Sequence, residues 1–299
     1  MKLTKILILI LPLVLTFCGK TVEFSGESAY QYLLKQCEFG PRNPGSDGHK
    51  RCMQFLRDEL SLYADVVNVH PFTHFDSKRN INIDMYNIIA SFNMNHKGGE
   101  RVLLCAHWDT RPIADRDSDP LNHSKPILGA NDGASGVAVL LEIAKMLKFD
   151  PAGIGIDMIF FDGEDYGEEG SLEQYFLGSR EFVKVMGNYR PVFGILLDMI
   201  GDIDLDIPIE PNSNQIARDI VDDVWDLAEN LGIKELRREI GKAVISDDHI
   251  ILSNAGIRSI VLIDFDYKYW HTLEDTPDKT SPESLKKVGT VVINYIYDL

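Results

Sequence analysis

The chain has 299 residues, of which 44% are hydrophobic and 25% are charged, and this composition is typical of a globular protein. The formal net charge of −16 argues against nucleic acid or an anionic membrane surface as the partner, because both would be repelled. An acidic surface suits a cationic ligand such as the protonated amino terminus of a peptide, although acidic residues also serve solubility alone.

The amino terminus has the pattern of an export signal. Lys2 and Lys5 precede the apolar run 6–17, which is shorter than a typical membrane-spanning helix. We therefore assign residues 1–18 to an export signal. The rest of the sequence contains no internal repeat and no low-complexity stretch, so we expect residues 25–299 to form a single domain.

The cysteines leave several alternatives open. Cys18 lies where a bacterial lipoprotein would be cleaved and lipidated, but Phe17 is larger than the residue normally found before such a cysteine. A lipid anchor at Cys18, a periplasmic protein and a secreted protein all remain compatible with the sequence. Cys37 and Cys52 either form a disulfide in an oxidising compartment or are small buried residues. Cys105 ends an apolar segment and is expected in the core.

Short apolar strands alternate with helical stretches along the middle of the chain. The predicted elements, in chain order, are strand 102–106, helix 134–147, strand 156–161, strand 192–197, helix 216–231, strand 257–263 and helix 282–297. We expect Ser281 to cap the last helix and Pro282 to lie in its first turn. This alternation predicts an α/β fold with a largely parallel sheet.

Potential metal ligands lie at the ends of these predicted elements. They are His107, Asp132, Asp165, Asp198 and His271. Because ligand sites of open α/β sheets lie beyond the carboxyl ends of the strands, we expect these side chains to converge. Each residue alone has an ordinary explanation as a helix cap or a turn, but together they predict a site for one or two zinc ions. Glu164 directly precedes Asp165, where a general base would stand beside the metal.

Several sequence blocks resemble the zinc aminopeptidase superfamily, and they are most similar to its bacterial glutaminyl cyclase branch. The blocks are FGPRNPGSDGH, CAHWDTRP, GANDGASGVAVLLE, FFDGEDYG, LGSREF, ILLDMIGD, ISDDHI and YWHTLEDTPD. The resemblance extends from about Ser28 to the carboxyl end. It implies a three-layer α/β/α sandwich around a mixed, mostly parallel sheet, with residues 25–299 as one zinc-dependent catalytic domain.

The resemblance also implies a role for each site residue. The ligands of a single zinc would be Asp132, Asp165 and His271. The catalytic carboxylates would be Glu164, Asp198 and Asp247. The substrate-binding residues would be Trp270, Ile245 and Tyr175. Two further residues, His107 and Asp109, would either hold a second metal or support the first site.

Two positions depart from the family pattern. Asp165 stands where many relatives carry glutamate, so a metal would lie closer to the backbone there. Tyr175 lies near the position where relatives often place a second tryptophan over the substrate, so the pocket would differ in shape.

The residues leave the activity open between a cyclase and a peptidase. A glutaminyl-peptide cyclotransferase would take a peptide or protein with a free amino-terminal glutamine and one zinc. Trp270 and the doubled acid Asp247-Asp248 favour this reading. A two-zinc aminopeptidase is the alternative, because His107 and Asp198 are both present. A non-catalytic peptide-binding protein would be expected to have lost ligands. Nothing in the sequence demands an oligomer, and we expect a monomer.

Overall fold

The computed structural model describes residues 22–168, 170–243 and 246–299. The predicted export signal with Cys18 and the predicted pocket residue Ile245 lie outside the described residues. In the described part of the chain, no helix combines the length and the apolar character needed to cross a bilayer.

Strands and helices alternate along most of the chain. The strands are β1 (Val66–Asp76), β2 (Ile81–Phe92), β3 (Arg101–His107), β4 (Gly155–Phe161), β5 (Gly194–Asp198), β6 (Ile207–Ile209), β7 (Leu236–Ile240) and β8 (Ser259–Ile263). The helices are α1 (Gly26–Glu38), α2 (Asp47–Tyr63), α3 (Ala134–Phe149), α4 (Leu177–Val185), α5 (Pro211–Ile216), α6 (Arg218–Asn230), α7 (Asp248–Asn254) and α8 (Pro282–Tyr297).

The central sheet has the strand order β1-β2-β4-β3-β5-β8. Strands β4, β3, β5 and β8 run parallel, whereas β1 pairs with β2, and β2 with β4, in the antiparallel sense. A separate two-stranded sheet joins β6 and β7. The four parallel strands therefore end at the same edge of the sheet, where ligand sites of such folds lie.

Alternate residues of each strand pack against helices on opposite faces of the sheet. Leu104 of β3 joins a core that includes residues of α1, α3 and α8. Its neighbour Leu103 packs instead with Phe182 of α4 and Leu252 of α7. The predicted three-layer α/β/α sandwich with a mixed, mostly parallel sheet is confirmed.

The last helix begins where its sequence predicts. Ser281 Oγ accepts a hydrogen bond from the backbone N–H of Ser284 at 3.1 Å, and Pro282 occupies the first turn of α8. The serine satisfies an N–H that has no partner within the helix, and the proline lacks such an N–H, so both residues favour a helix start at this point.

The starts of two predicted strands are wrong. The strand predicted at 192–197 begins at Gly194, the first residue in register with both β3 and β8. The strand predicted at 257–263 begins at Ser259, because the N–H of Ile257 is bonded into the turn that ends α7.

The helix predicted at 216–231 corresponds to α6, which begins two residues later, at Arg218, and ends at Asn230. Ala217 has φ −142° and ψ 53°, which are not helical angles, so α5 ends at Ile216 and α6 begins at Arg218. The apolar periodicity continues across the break, and the sequence pattern therefore gives no sign of it.

The cysteines form no disulfide within the described residues. Cys37 is half-buried, Cys52 and Cys105 are buried, and all are free thiols. Cys37 and Cys52 are therefore small residues packed in or against the core, and not a disulfide.

Candidate active site

The side chains predicted as metal ligands converge at the carboxyl edge of the parallel strands. His107 is the last residue of β3, and Asp198 is the last residue of β5. Asp165 follows β4, His271 follows β8, and Asp132 lies just before α3. The sheet topology thus brings together residues that are far apart in the sequence.

These side chains form two overlapping sets that share Asp132. In the first set, one ligand atom each from Asp132, Asp165 and His271 lie within 4.8 Å of one another. The same holds in the second set for His107, Asp132 and Asp198. Asp132 divides its two oxygens between the sets. Its Oδ1 lies 3.1 Å from His107 Nε2, and its Oδ2 lies 3.7 Å from His271 Nε2.

The first set has the donor chemistry of a zinc site. Asp132 Oδ2 and Asp165 Oδ2 are buried and have no hydrogen-bond partner among the described residues. Such an oxygen is costly to bury unless a cation lies beside it. His271 Nε2 lies 3.2 Å from Asp165 Oδ1, so the set offers two carboxylates and one imidazole. Zinc accepts these donors and keeps one position open for substrate. Although the side chain of Asp165 is shorter than the glutamate of many relatives, its carboxylate still belongs to the set.

In the second set, His107 contacts both carboxylates, those of Asp132 and Asp198. Its Nε2 lies 3.2 Å from Asp198 Oδ1 as well as 3.1 Å from Asp132 Oδ1. Burial by itself lowers the pKa of His107, but contacts with Asp109, Asp132 and Asp198 outweigh burial and raise this pKa well above its ordinary value. Burial lowers the pKa of His271 in the first set as well, and contacts with Asp165 and Asp115 raise it to about 9, so protonation of the imidazole does not distinguish the two sets.

Asp109 supports the turn that carries Glu164. Its Oδ1 accepts the backbone N–H of Glu164 at 3.1 Å, and its Oδ2 accepts that of Asp165 at 3.3 Å. The turn starts at Gly163, whose φ of 68° is a left-handed conformation that favours glycine. Of the two roles predicted for Asp109, this geometry favours the supporting one.

The predicted catalytic carboxylates lie beside the first set. Glu164, Asp198 and Asp247 all line the cavity into which this set opens. Burial raises the pKa of Glu164 well above its ordinary value; His107 lowers this pKa, but neighbouring carboxylates raise it again. Burial together with Asp247 raises the pKa of Asp248 to about 8. Carboxyls with raised pKa values can hold and exchange a proton near neutral pH.

The cavity has a volume of about 220 Å³ and an aromatic wall. The Trp270 ring lies 4.0 Å from the His271 ring and 5.5 Å from the Phe265 ring. Tyr175 also lines the cavity, and its hydroxyl accepts a hydrogen bond from Arg111 at 2.9 Å. A larger hollow of about 590 Å³ lies between β1, α4 and α7, and none of the predicted site residues lines it.

Sequence reasoning missed two residues that hold the first set in place. Asp115 Oδ1 lies 3.4 Å from His271 Nδ1, so it can fix the ring with Nε2 towards the set. Arg111 donates hydrogen bonds to both oxygens of Asp115 and, at 3.1 Å, to Asp165 Oδ1. The only sequence signal is the spacing of four residues between Arg111, inside the block CAHWDTRP that contains His107, and Asp115.

A third missed residue, Arg42, belongs to the block FGPRNPGSDGH. Its guanidinium is fully buried and donates to the backbone carbonyls of Trp108, Leu128 and Gly129 at 3.2, 2.8 and 2.7 Å. These carbonyls lie in the loops that carry His107 and Asp132. Arg42 therefore links the two loops through these hydrogen bonds.

Three residues around the cavity have a backbone conformation that side chains other than glycine rarely adopt. The φ angle is 59° at Phe176, 46° at Met199 and 58° at His271. Each such residue costs about 1–3 kcal/mol, and such residues cluster at functional sites. All three line the cavity, which supports its assignment as the active site.

The sequence model of peptidase family M28 matches residues 87–296. The chain belongs to peptidase family M28. This M28 protein is similar in structure to Bacteroides thetaiotaomicron glutaminyl cyclase, whose crystal structure was determined bound to N-acetylhistamine. The two are 36% identical with a TM-score of 0.88, over 94% of this chain and 100% of that one. The expected resemblance to bacterial glutaminyl cyclases and the zinc aminopeptidase-like fold is confirmed.

Relatives named as peptidases are also similar to this M28 chain. A Zn-dependent exopeptidase from Parabacteroides distasonis is 37% identical with a TM-score of 0.88, over 93% of this chain and 100% of that one. Aminopeptidase YwaD from Bacillus subtilis is 28% identical over an alignment of 219 residues that covers 68% of this chain. The match covers 42% of the length of that aminopeptidase.

Proposed function

We propose that this M28 enzyme is a zinc-dependent glutaminyl-peptide cyclotransferase. It converts the amino-terminal glutamine of a peptide or protein to pyroglutamate and releases ammonia. The observation that carries the proposal is the unequal state of the two ligand sets. The first set has two buried carboxylate oxygens without hydrogen-bond partners among the described residues, whereas one carboxylate oxygen each of Asp132 and Asp198 lies 3.1 and 3.2 Å from His107 Nε2 in the second set. This favours one zinc, which a cyclase would use, over two.

Asp132, Asp165 and His271 would hold that zinc, with Asp115 and Arg111 keeping His271 and Asp165 in place. Zinc bound there supplies a Lewis acid for the side-chain amide carbonyl of the glutamine. The α-amine is tethered to the same residue as this carbonyl, so ring closure depends chiefly on orientation.

Glu164 is the proposed proton carrier. The amine nitrogen forms a bond to the side-chain carbonyl carbon, and Glu164 takes the proton that the amine loses. The bond from this carbon to the amide nitrogen then breaks, and Glu164 returns the proton to that nitrogen, which leaves as ammonia. The raised pKa of Glu164 suits a group that must hold the proton between these two events.

The remaining cavity residues would position the substrate. Asp198 and Asp247, which line the cavity, would hold the amine and the leaving amide. Trp270 and Tyr175 would form the apolar wall beside the glutamine side chain. Ile245, which lies outside the described residues, is assigned to the same wall from the resemblance alone.

A two-zinc aminopeptidase is the second candidate, and the second ligand set favours it. If His107 were neutral, the atoms of His107, Asp132 and Asp198 are close enough to hold a second ion. Glu164 would then activate a water molecule for attack on the first peptide bond. A non-catalytic peptide-binding protein is disfavoured, because every predicted ligand side chain is at the site.

We further propose that the enzyme is exported and acts as a monomer on peptides outside the cytoplasm. The support for export is the sequence of residues 1–18, with Cys18 as the candidate lipid anchor.

The test is ammonia release by the zinc-loaded protein from a peptide with a free amino-terminal glutamine. The matched control is the same peptide with its α-amine acetylated, which cannot close the ring and should release none. N-acetylhistamine should inhibit the reaction, because its imidazole offers a nitrogen donor to zinc. Equal ammonia release from both peptides, or none from either, would reject the cyclase.

A further inference from the structure

Arg116 stands out among the residues that line the active-site cavity. The other ionisable side chains there include several carboxylates, among them Glu164 and Asp247, and one other arginine, Arg111. Arg111 is buried and committed to Asp115, Asp165 and Tyr175. Arg116 is exposed, and its guanidinium has neither a hydrogen bond nor an ion pair to any residue in 22–168, 170–243 or 246–299.

The position of Arg116 is nevertheless defined. The centre of its guanidinium lies 5.3 Å from the centroid of the Trp270 ring, a distance at which the cation is attracted to the indole face. Its backbone N–H donates to the carbonyl of His271 at 3.2 Å. A guanidinium held over an indole keeps its N–H edge free for a planar acceptor such as a carboxylate.

The location of Arg116 relates it to the second residue of a substrate. In the proposed reaction, the glutamine and its α-amine lie inside the cavity, beside the carboxylates and Trp270. The rest of the peptide must leave through the exposed mouth, where Arg116 lies over the outer part of the same wall. Unlike the carboxylates around it, Arg116 would repel a cationic side chain and attract an anionic one.

We propose that Arg116 binds a carboxylate on the residue that follows the amino-terminal glutamine, so that the enzyme prefers peptides with an acidic second residue. This inference rests on the proposed cyclase function and adds a substrate class to it. The ion pair lies at a solvated rim, so its effect is modest, falls mainly on KM, and weakens as salt screens it.

The experiment compares three amidated peptides, Gln-Glu-Ala, Gln-Gln-Ala and Gln-Lys-Ala, in which only the second side chain changes the charge. With wild-type enzyme we expect kcat/KM for the glutamate peptide to exceed that for the lysine peptide about five- to tenfold. High salt should reduce this ratio. R116Q should bring the ratio close to unity. R116K keeps the charge but lacks the planar guanidinium, so it should retain part of the preference.

Lys268 offers a matched control. It is exposed, its ammonium lies over Tyr269 at 5.2 Å, and it does not line the cavity. K268Q changes the net charge by the same amount as R116Q and should keep the wild-type preference.

The outcomes separate the inference from the function on which it rests. If wild-type enzyme cyclises none of the three peptides, the cyclase function fails and the inference fails with it. If it cyclises all three with equal efficiency, only the inference is overturned. The inference is also overturned if R116Q lowers kcat/KM equally for all three peptides, or if K268Q removes the preference as R116Q does.

Discussion

Glu164 is the residue on which the proposed proton transfer depends. Its Oε2 lies 3.8 Å from His107 Nδ1, and burial raises the pKa of the carboxyl. Glutamine has the same shape but cannot carry the proton, so we expect E164Q to keep its zinc content and to lose at least ~100-fold in kcat. Elemental analysis and ammonia-release kinetics measure the two quantities. The exposed Glu173 on the neighbouring segment gives the control E173Q, which should behave as wild type. Unchanged turnover in E164Q would contradict the role of Glu164 as proton carrier.

His107 decides between one zinc and two. The first ligand set does not include it, so we expect H107A to retain the single zinc of the wild-type chain, measured by elemental analysis of dialysed protein. Its turnover should fall, because Asp132 and Asp198 lose a buried partner. A wild-type chain with two zinc ions that drops to one in H107A would instead establish the aminopeptidase arrangement.

The sequence correctly predicted that candidate ligands lie at the strand ends. It did not predict the residues that hold these ligands in position. His107 and Asp198 follow from local strand patterns and from the rule that such sites lie at the carboxyl edge. Arg42, Arg111 and Asp115 act through contacts between segments that are distant in the sequence or through loop carbonyls. Apart from the four-residue spacing of Arg111 and Asp115, no local pattern of residue types carries that information.

At the scale of elements, the loops before α3 are held in place by hydrogen bonds from Arg42. Lysine cannot reach the carbonyls of Trp108, Leu128 and Gly129 together, so we expect R42K to lower the free energy of unfolding by about 2–3 kcal/mol. Zinc affinity should fall at least ~10-fold, because Asp132 follows these loops. Urea unfolding and chelator competition are the measurements. R51K, an exposed change on α2, is the control, and equal stability of the two variants would contradict this role.

The end of β8 carries a carboxyl whose ionisation opposes folding. Asp264 is buried, and burial raises its pKa from 3.8 to about 7. The folded state therefore holds a proton that the unfolded chain has already lost, so stability falls as pH rises towards the folded pKa. We expect wild type to lose about 2–3 kcal/mol more than D264N between about pH 5 and about pH 8 in urea unfolding. An identical pH dependence in the two proteins would contradict the raised pKa.

The elements were predictable where local patterns are strong. Strands β3 and β4 and helices α3 and α8 have clear apolar patterns and match their predictions closely. The β1–β2 hairpin was not predicted, because β1 alternates between exposed and half-buried residues and lacks a strongly apolar face. Its tip is held by tertiary contacts, including Lys78 with Glu168 and Tyr166 with Asp76, in the segment that follows Asp165.

At the scale of the whole molecule, two buried arginines support the site of a strongly acidic protein. The sequence has 46 acidic and 30 basic residues, yet two arginines, Arg42 and Arg111, are almost fully buried beside the ligand loops. Their donors are committed to carbonyls, Asp115, Asp165 and Tyr175, so the cavity itself stays acidic. An acidic cavity suits a substrate that brings a protonated amine, which fits both candidate activities.

The fold class was predictable from the sequence, whereas the activity was not. Alternating strands and helices specify an α/β sandwich through local patterns that the structure keeps. A cyclase and an aminopeptidase can use the same scaffold and the same ligand residues, and they differ in how many metal ions bind and how the substrate is oriented.

The central claim is tested most directly by mass spectrometry of a peptide with an amino-terminal glutamine after incubation with the zinc-loaded enzyme. The cyclase predicts a product that is lighter than the substrate by the mass of one ammonia and keeps every residue. A product shortened by its first residue would contradict the cyclase and would assign the site to an aminopeptidase.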